Sequence, residues 1–311
     1  MTVYARAHDL APMEKKSQID LLGAAALTGF ALLLAFNQVV IKVTNGGLQP
    51  VLFAGLRAAG AVLCIWLWLR WRGIPFRFEK GTRLAGFAMG GIFAFEFLCL
   101  FVALDLTAVS RASVIFYSMP VWLAIMAHFV IPDDRVTPLK ALGLALAFAG
   151  VALAILTRDD GAGSLWGDLA ALGAAVGWAL TALLAKASSL SRVRPEIQLM
   201  WQVVVSAPIL LIAALFFGPL IRDLAPIHIA GLLFQIVVVV SAGFIFWLWL
   251  LSIYPASGVA SFSFLSPVLA VGLGWLLLGE EIGPSLIAAL ILVAIGILLI
   301  NRPVRSRKTS A

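Results

Sequence analysis

Residues 257–284 of the chain read "SGVASFSFLSPVLAVGLGWLLLGEEIGP". An earlier stretch, residues 110–138, reads "SRASVIFYSMPVWLAIMAHFVIPDDRVTP" and repeats its spacing, with a Ser ten residues before a Pro and a pair of acids thirteen residues after that Pro. Pro120 therefore corresponds to Pro267. Self-similarity at a fixed offset indicates a tandem duplication, which has to be recognised before the other features are interpreted.

The composition is that of an integral membrane protein. Hydrophobic residues make up 62% of the chain and charged residues only 12%, whereas soluble domains carry roughly 25% charged residues. Runs of about 20 apolar residues, enough to cross a hydrocarbon core, recur along the chain. The predicted spans are 19–43, 49–69, 84–104, 110–131, 138–157, 165–187, 196–217, 228–253, 256–278 and 283–301. The predicted fold class is therefore all-α, with ten transmembrane helices.

Local composition supports helices over strands. The spans lack the alternation of apolar and polar residues that marks membrane β-strands, which excludes a barrel. Gly143 and Ala147 form a small-xxx-small pair of the kind that lets two helices approach closely. Cys64 and Cys99 lie inside apolar spans and predict neither a disulfide nor a metal site. No cofactor is expected.

Basic residues predict the orientation of the spans. Most of the 22 Lys and Arg residues fall in segments that share one side of the membrane if both termini are cytoplasmic. The positive-inside rule therefore predicts an N-in, C-in topology. The net charge of +7 then suits the anionic lipids of the inner leaflet, so a lipid bilayer is the expected partner and nucleic acid is not.

The two copies are expected to run in opposite directions, because each holds an odd number of helices. Inverted repeats are typical of transporters that alternate access to a site near the membrane midplane. The plainer alternative is that duplication only built a stable bundle. The predicted plan is a cytoplasmic N-terminal segment at 1–18, a first five-helix repeat at 19–157, an outer linker at 158–164, a second repeat at 165–301 and a basic cytoplasmic tail at 302–311.

Several motifs resemble a known family. They are Lys42 near the end of the first span, "QPVLFAGLR" at 49–57, the two Ser/Pro helices, and "LLLGEEIGP" at 276–284. Together they resemble the drug/metabolite transporter superfamily, specifically the ten-helix exporters built from two EamA units, over residues 19–301. The first copy departs from the pattern with "IPDD" at 131–134, where the family would have a Gly-Glu pair.

The resemblance implies a function. It implies export of small metabolites across the plasma membrane, in bacteria the inner membrane, with neutral and aromatic amino acids as a prominent substrate class. Amphiphilic drugs or nucleoside-like metabolites are the alternative cargo. It also implies that helices one to four and six to nine surround the path, while five and ten lie outside it. A monomer or weak dimer is expected.

Ionisable side chains inside apolar spans are the first candidates for a site, because their burial is costly. At 1.5 Å per residue, Asn37, Arg57, Glu96 and Tyr117 all lie about 9 to 12 Å from the same membrane face. Gln202 and Ser263 form the expected counterpart layer in the second copy. In this hypothesis the eight substrate-binding residues are Asn37, Arg57, Glu96, Tyr117, Trp178, Trp201, Gln202 and Ser263.

The two buried charges have an alternative interpretation. Arg57 could bind a substrate carboxylate, and Glu96 could bind an ammonium group or carry a coupling proton. Equally, the two could neutralise each other and only fix two helices in register. Proton antiport and facilitated efflux both stay open, since no second acid is expected to be buried in mid-span beside Glu96.

Aromatic residues and prolines are less specific signals. Trp178 and Trp201 lie deep in their spans and are candidates for lining a cavity, although packing explains most such residues. Pro120 and Pro267 lie in mid-span, where a missing N–H frees a carbonyl and permits bending, so both are hinge candidates. Asp20, Asp134, Asp168 and Glu281 precede or begin spans and favour a structural role at helix N-termini.

Other classes of function lack their signatures. An intramembrane enzyme would need paired aspartates, a Ser/His pair or clustered metal ligands, and none is spaced suitably in the sequence. No Walker A sequence is present, so this chain is not expected to hydrolyse ATP. A channel stays open as a rival; saturable turnover would distinguish a transporter from it.

Overall fold

The computed structural model describes residues 16, 19–75, 77–131, 136–157, 163–254 and 262–301. Within these ranges the regular structure is helical, and eight helical stretches are long and apolar enough to cross a membrane. Two further apolar helices are shorter. The α-helices are α1 Leu21–Asn45, α2 Pro50–Trp71, α3 Arg83–Leu106, α4 Val109–Phe116, α5 Met119–Val130, α6 Pro138–Leu156, α7 Leu165–Ala187, α8 Pro195–Ala214, α9 Pro226–Phe234, α10 Phe244–Ile253, α11 Leu265–Leu278 and α12 Pro284–Ile300.

Local sequence signals explain where the helices begin. The Asp20 carboxylate accepts from the Gly23 N–H at 2.8 Å and caps α1, as expected for an acid at a helix N-terminus. Thr137 and Ser164 cap α6 and α7 in the same way. Proline opens α2, α5, α6, α8, α9 and α12, where its missing N–H costs no hydrogen bond.

Three of the predicted spans are interrupted helices. The fourth breaks at Tyr117–Ser118 between α4 and α5, and the eighth changes to a π-helical segment, Gln235–Gly243, between α9 and α10. In the ninth, a 3-10 turn at Phe262–Phe264 precedes α11. Pro120 and Pro267 thus lie in the first turn after a break, not inside a continuous helix as predicted. The physical reason is that a proline fits the start of a helix better than its interior.

Two helices lie apart from the central bundle. α6 and α12 pack chiefly against each other. A Cβ added to Gly143 would lie 2.8 Å from the Gly296 carbonyl oxygen, so the contact requires small residues on both helices. This confirms the interface predicted from Gly143 and Ala147, since Ala147 also faces Gly296.

The loops define two ends of the bundle. One end, here called the Arg222 end, holds the connections 46–49, 107–108, 215–225 and 279–283, together with Gly163 and Ser164. Backbone contacts join these loops, including the pairings of Leu48 with Ile221 and of Thr107 with Gly163. The opposite end, the Lys16 end, holds Lys16, which donates its N–H to the Ile253 carbonyl at 2.9 Å.

Candidate functional site

Arg57 lies in the interior of the bundle on α2 and is 6% exposed. Its guanidinium lies 3.9 Å from the centroid of the Phe97 ring and 5.5 Å from that of Phe101. Such cation–π contacts hold the guanidinium plane without using its five N–H donors. Among the described residues, the hydrogen bonds and ion pairs do not include Arg57. The group is therefore held in place with its donors available.

Glu96 lies on α3 one residue before Phe97 and is 3% exposed. The Thr181 hydroxyl of α7 lies 3.3 Å from Glu96 Oε2 and 3.1 Å from the Gly177 carbonyl oxygen, to which it can also donate. A Cβ added to Gly177 would lie 3.0 Å from the Glu96 Cβ, so this glycine lets α3 and α7 approach at the level of the acid. Close packing against α7 thus fixes the carboxylate.

The two buried charges attract each other but form no direct pair. Glu96 and Arg57 interact electrostatically. Among the described residues, however, no ion pair within 4.0 Å joins them. Both interpretations made from the sequence, a substrate site and mutual neutralisation, are compatible with this arrangement, because buried charges attract each other beyond direct contact. A dipolar ligand could bridge the two groups.

A group of aromatic rings adjoins the acid. Trp178, next to Gly177 on α7, stacks on Phe116 with ring centroids 5.0 Å apart and planes 16° apart. Tyr117, at the break between α4 and α5, meets Trp178 edge-on at 6.2 Å. The rings of Trp178, Phe116 and Tyr117 are called the ring cluster below. The structure therefore places two of the predicted site residues in contact with each other.

Three buried amides lie on or beside the first helix. Gln235, which begins the π-helical segment, donates to the predicted site residue Asn37. Gln38 and Ser266, which is at the start of α11, both lie beside the Tyr117 hydroxyl. Gln38 and Gln235 each have a side-chain oxygen with no partner among the described residues. Sequence reasoning missed both, although π-helical segments recur at functional sites and two amides inside apolar spans were a visible signal.

The remaining predicted site residues lie elsewhere. Trp201 belongs to a second apolar cluster with Ile65, Leu69 and Leu190 toward the Lys16 end, and its ring stacks on Phe78 at 3.8 Å. The neighbouring Gln202 places its amide nitrogen 3.5 Å from the Met89 sulfur. The structure does not bring these two residues to the ring cluster. The Ser263 side chain lies outside the described residues, as do Asp133 and Asp134.

The Arg222 end holds a different set of polar contacts. The Glu280 carboxylate accepts from the N–H groups of Val109 and Ser110 at 2.6 and 2.8 Å and caps α4 from the other half of the chain. Arg222 forms a bidentate ion pair with Asp105 at 2.6 and 2.9 Å. The Asp105 carboxylate raises the pKa of Arg222 above its ordinary value. The helix-terminal role predicted for Glu281 is not observed: Glu281 is exposed and makes no cap on α12, while its neighbour Glu280 caps α4 instead.

Two further cations at this end also have partners. Lys42 donates to the carbonyl oxygens of Thr107 at 3.0 Å and Asp105 at 3.3 Å. Arg111 on α4 forms a buried ion pair with Asp168 on α7 at 2.7 Å, and donates to the Thr157 carbonyl at 3.0 Å. Asp168 therefore has the structural role that the sequence predicted. No group of three or more His, Cys, Asp or Glu side chains in the described residues could hold a metal ion.

Comparison with known proteins identifies related sequences. The profile of the EamA-like transporter family matches residues 21–156 and again residues 165–302. The uncharacterized transporter YvbV of Bacillus subtilis (strain 168) is 30% identical over 295 residues, which cover 91% of this chain and 95% of that protein. The probable amino-acid metabolite efflux pump of Salmonella typhimurium is 27% identical over 284 residues, covering 88% and 93%.

Solved structures agree on the fold. One crystal structure aligns with 89% of this chain and 97% of its own, at a TM-score of 0.64 and 20% sequence identity. At that sequence identity the structural similarity is evidence for the helical architecture alone. The arrangement of α1–α12 is therefore a known architecture.

Proposed function

The chain belongs to the EamA-like transporter family, and from that premise we propose that it exports small metabolites from the cytoplasm by alternating access, with neutral and aromatic amino acids as first candidates. One observation carries the choice of amino acids: a buried base and a buried acid interact without pairing, beside a cluster of rings. The amino-acid efflux named for the Salmonella relative is consistent with it.

The proposed site binds a dipolar molecule. Arg57 presents a planar fork of donors, which matches a carboxylate bidentately, and its contacts with Phe97 and Phe101 keep that fork oriented. Glu96 accepts from the ammonium group or carries a proton, with Thr181 holding one of its oxygens. An aromatic side chain then lies against the ring cluster, where offset and edge-on contacts are favourable.

Two inverted repeats supply the proposed movement. The family profile matches each half of the chain once. Helix α1 ends at the Arg222 end, whereas α7, the first helix of the second half, begins there. This supports two five-span halves of opposite direction in which each half closes one face. With most basic residues at the Lys16 end, the Arg222 end faces outside in this proposal, in the inner membrane of a bacterium.

The proposal predicts saturable exchange in a purified system. Proteoliposomes loaded with unlabelled amino acid are tested for counterflow of labelled phenylalanine, methionine and threonine, with and without a pH gradient. Wild type, Glu96→Gln and the control Glu281→Gln, an exposed acid on a loop, are compared. Saturable exchange of any of the three by wild type and by the control supports amino-acid transport.

The Glu96 variant then separates the two roles of the acid. Exchange that survives in Glu96→Gln but no longer responds to pH identifies Glu96 as the proton carrier. Loss of exchange in that variant alone identifies it as a substrate ligand. Exchange of none of the three amino acids by wild type would reject amino acids as the cargo, and unsaturable flux would identify a channel.

A further inference from the structure

Two of the buried glutamines, Gln38 on α1 and Gln49 at the N-cap of α2, differ in how their amides are used. Gln49 is fully buried, donates to the Ala214 carbonyl at 2.8 Å and accepts from the Leu52 N–H at 2.6 Å. Gln38 is 1% exposed, and its Oε1 has no partner among the described residues. An unsatisfied buried acceptor is costly, so a group that completes it gains free energy by binding there.

Gln38 lies one contact beyond the ring cluster. Glu96 packs against Gly177, and the adjacent Trp178 stacks on Phe116 and meets Tyr117. The Tyr117 hydroxyl in turn lies beside Gln38. The order of contacts is therefore charged groups first, rings second and a free amide oxygen last.

This order matches one class of ligand. An aromatic amino acid carries its charges at one end, a ring in the middle and, in tyrosine and tryptophan, an O–H or N–H donor on the ring. A carbonyl oxygen accepts from such a donor but gains nothing from the C–H of phenylalanine. The ligand also has to be apolar elsewhere, since apolar side chains surround the cluster.

We propose that Gln38 is a specificity-determining residue whose side-chain oxygen accepts a hydrogen bond from the ring O–H or N–H of the substrate. The preferred cargo is then tyrosine or tryptophan over phenylalanine. This inference rests on the proposed function of the same site. It adds an uncharged hydrogen-bonding subsite to the site that Arg57 and Glu96 form.

The test compares two ligands of nearly the same shape. Tyrosine and 4-methylphenylalanine differ at the ring tip, where one has a hydroxyl donor and the other a methyl group. Each is used to compete with the counterflow of labelled phenylalanine in proteoliposomes. We expect tyrosine to compete about tenfold better in wild type, as one neutral hydrogen bond to an otherwise unsatisfied group allows, and the two ligands to compete equally in Gln38→Met.

Gln49→Met is the matched control. It removes a buried glutamine at the N-cap of α2 whose amide is satisfied within the protein. We expect it to lower the amount of folded protein while leaving the tenfold preference for tyrosine unchanged. A loss of preference in this variant as well would overturn the proposal, because the effect would then be general.

The remaining outcomes separate the inference from the proposed function. If wild type exchanges phenylalanine but tyrosine and 4-methylphenylalanine compete equally, the amino-acid transporter stands and the Gln38 subsite is wrong, its oxygen only holding water. If wild type exchanges no amino acid, both fail. Should Gln38→Met not fold, the competition measured with wild type decides alone. Equal competition by the two ligands, or stronger competition by 4-methylphenylalanine, then contradicts the subsite.

Discussion

The Arg222 end and the middle of the bundle both withdraw polar groups from water, but they treat them differently. At the Arg222 end, Glu280 caps α4, Arg222 pairs with Asp105, and Lys42 binds two carbonyls. In the middle, Arg57 rests on aromatic rings with its donors available, and Gln38 has an unsatisfied oxygen. The charged side chains named at the Arg222 end thus have direct partners, whereas Arg57, where we propose that substrate binds, has no hydrogen bond or ion pair among the described residues.

The comparison shows how a buried charged residue in the structure can be assigned to a structural or a ligand-binding role. Arg111 and Arg57 are both buried arginines inside apolar spans. Arg111 has a direct ion pair with Asp168 and carbonyl acceptors, so its burial is explained by structure. The contacts of Arg57 explain its position but leave its hydrogen-bonding capacity unused. Unused capacity, not burial, points to a ligand.

The largest expected effect on stability comes from breaking the pair of Arg111 and Asp168. Asp168→Asn leaves the Arg111 charge buried and uncompensated, which costs about 3–5 kcal/mol of the free energy of unfolding. Thermal unfolding of the purified protein should show the loss. The double variant Arg111→Met/Asp168→Asn should recover part of it. Recovery of nothing would mean that the pair acts through its hydrogen bonds, and not through its charges.

Arg57→Gln should act on transport rather than stability. It removes the donors for the substrate carboxylate and should reduce exchange of amino acids about a hundredfold, as loss of a charge-assisted pair does. The thermal midpoint should stay equal or rise, because no direct ion partner is left behind. Arg57→Lys is the matched variant: it keeps the charge without the planar fork and should recover only part of the rate. A large drop in midpoint would instead assign Arg57 to structure.

Gly177→Ala probes the packing beside Glu96. The added Cβ would lie 3.0 Å from the Glu96 Cβ, so α3 and α7 have to separate slightly, at a cost of about 1–3 kcal/mol. We expect a lower thermal midpoint together with weaker apparent affinity for substrate. Gly173→Ala, one turn away on α7 with its nearest neighbour Cys99 Sγ at 3.2 Å, should be milder in both measurements. Equal effects would remove the special role of position 177.

Glu280→Ala tests the cap on α4. Loss of a carboxylate at a helix N-terminus costs about 1 kcal/mol, and thermal unfolding of Glu280→Ala should reveal it. The adjacent acid gives a matched control, because Glu281→Ala removes an exposed side chain and should leave the midpoint unchanged. If both variants unfold alike, the contact with Val109 and Ser110 contributes nothing.

The smallest expected effect is on stability at the Lys16 end, and it appears only when the thermal midpoint is measured as a function of pH. Hydrogen bonds from Lys16 first, then from the Gly23 N–H and the Tyr254 hydroxyl, lower the pKa of Asp20 to about 2. A lowered pKa contributes stability that is present above the ordinary value near 4 and lost as the pH falls through about 2. The midpoint difference between wild type and Asp20→Asn should therefore be constant from pH 7 to 5 and shrink below pH 4. A difference that grows on acidification would contradict this.

The sequence predicted what local signals and periodicity determine. Apolar runs, Pro138, Pro284 and Asp20 mark helices within a few residues of their observed bounds. Arg57 and Glu96 stood out because charges are rare in such runs. The sequence could not predict that Glu280 caps α4, since the two are far apart in the chain, or that Gln38 lacks a partner. Whether a buried polar atom finds a hydrogen-bond partner depends on neighbouring residues from other helices, and only the folded structure shows which residues these are.

The most direct test of the account is equilibrium binding of labelled phenylalanine to the purified protein, which needs no transport. Wild type, Arg57→Gln and Glu280→Ala are measured at matched amounts of folded protein. The account predicts saturable binding by wild type and by Glu280→Ala, and none by Arg57→Gln. Binding that survives in Arg57→Gln with wild-type affinity would contradict the claim that the incomplete polar contacts in the middle of the bundle form the substrate site.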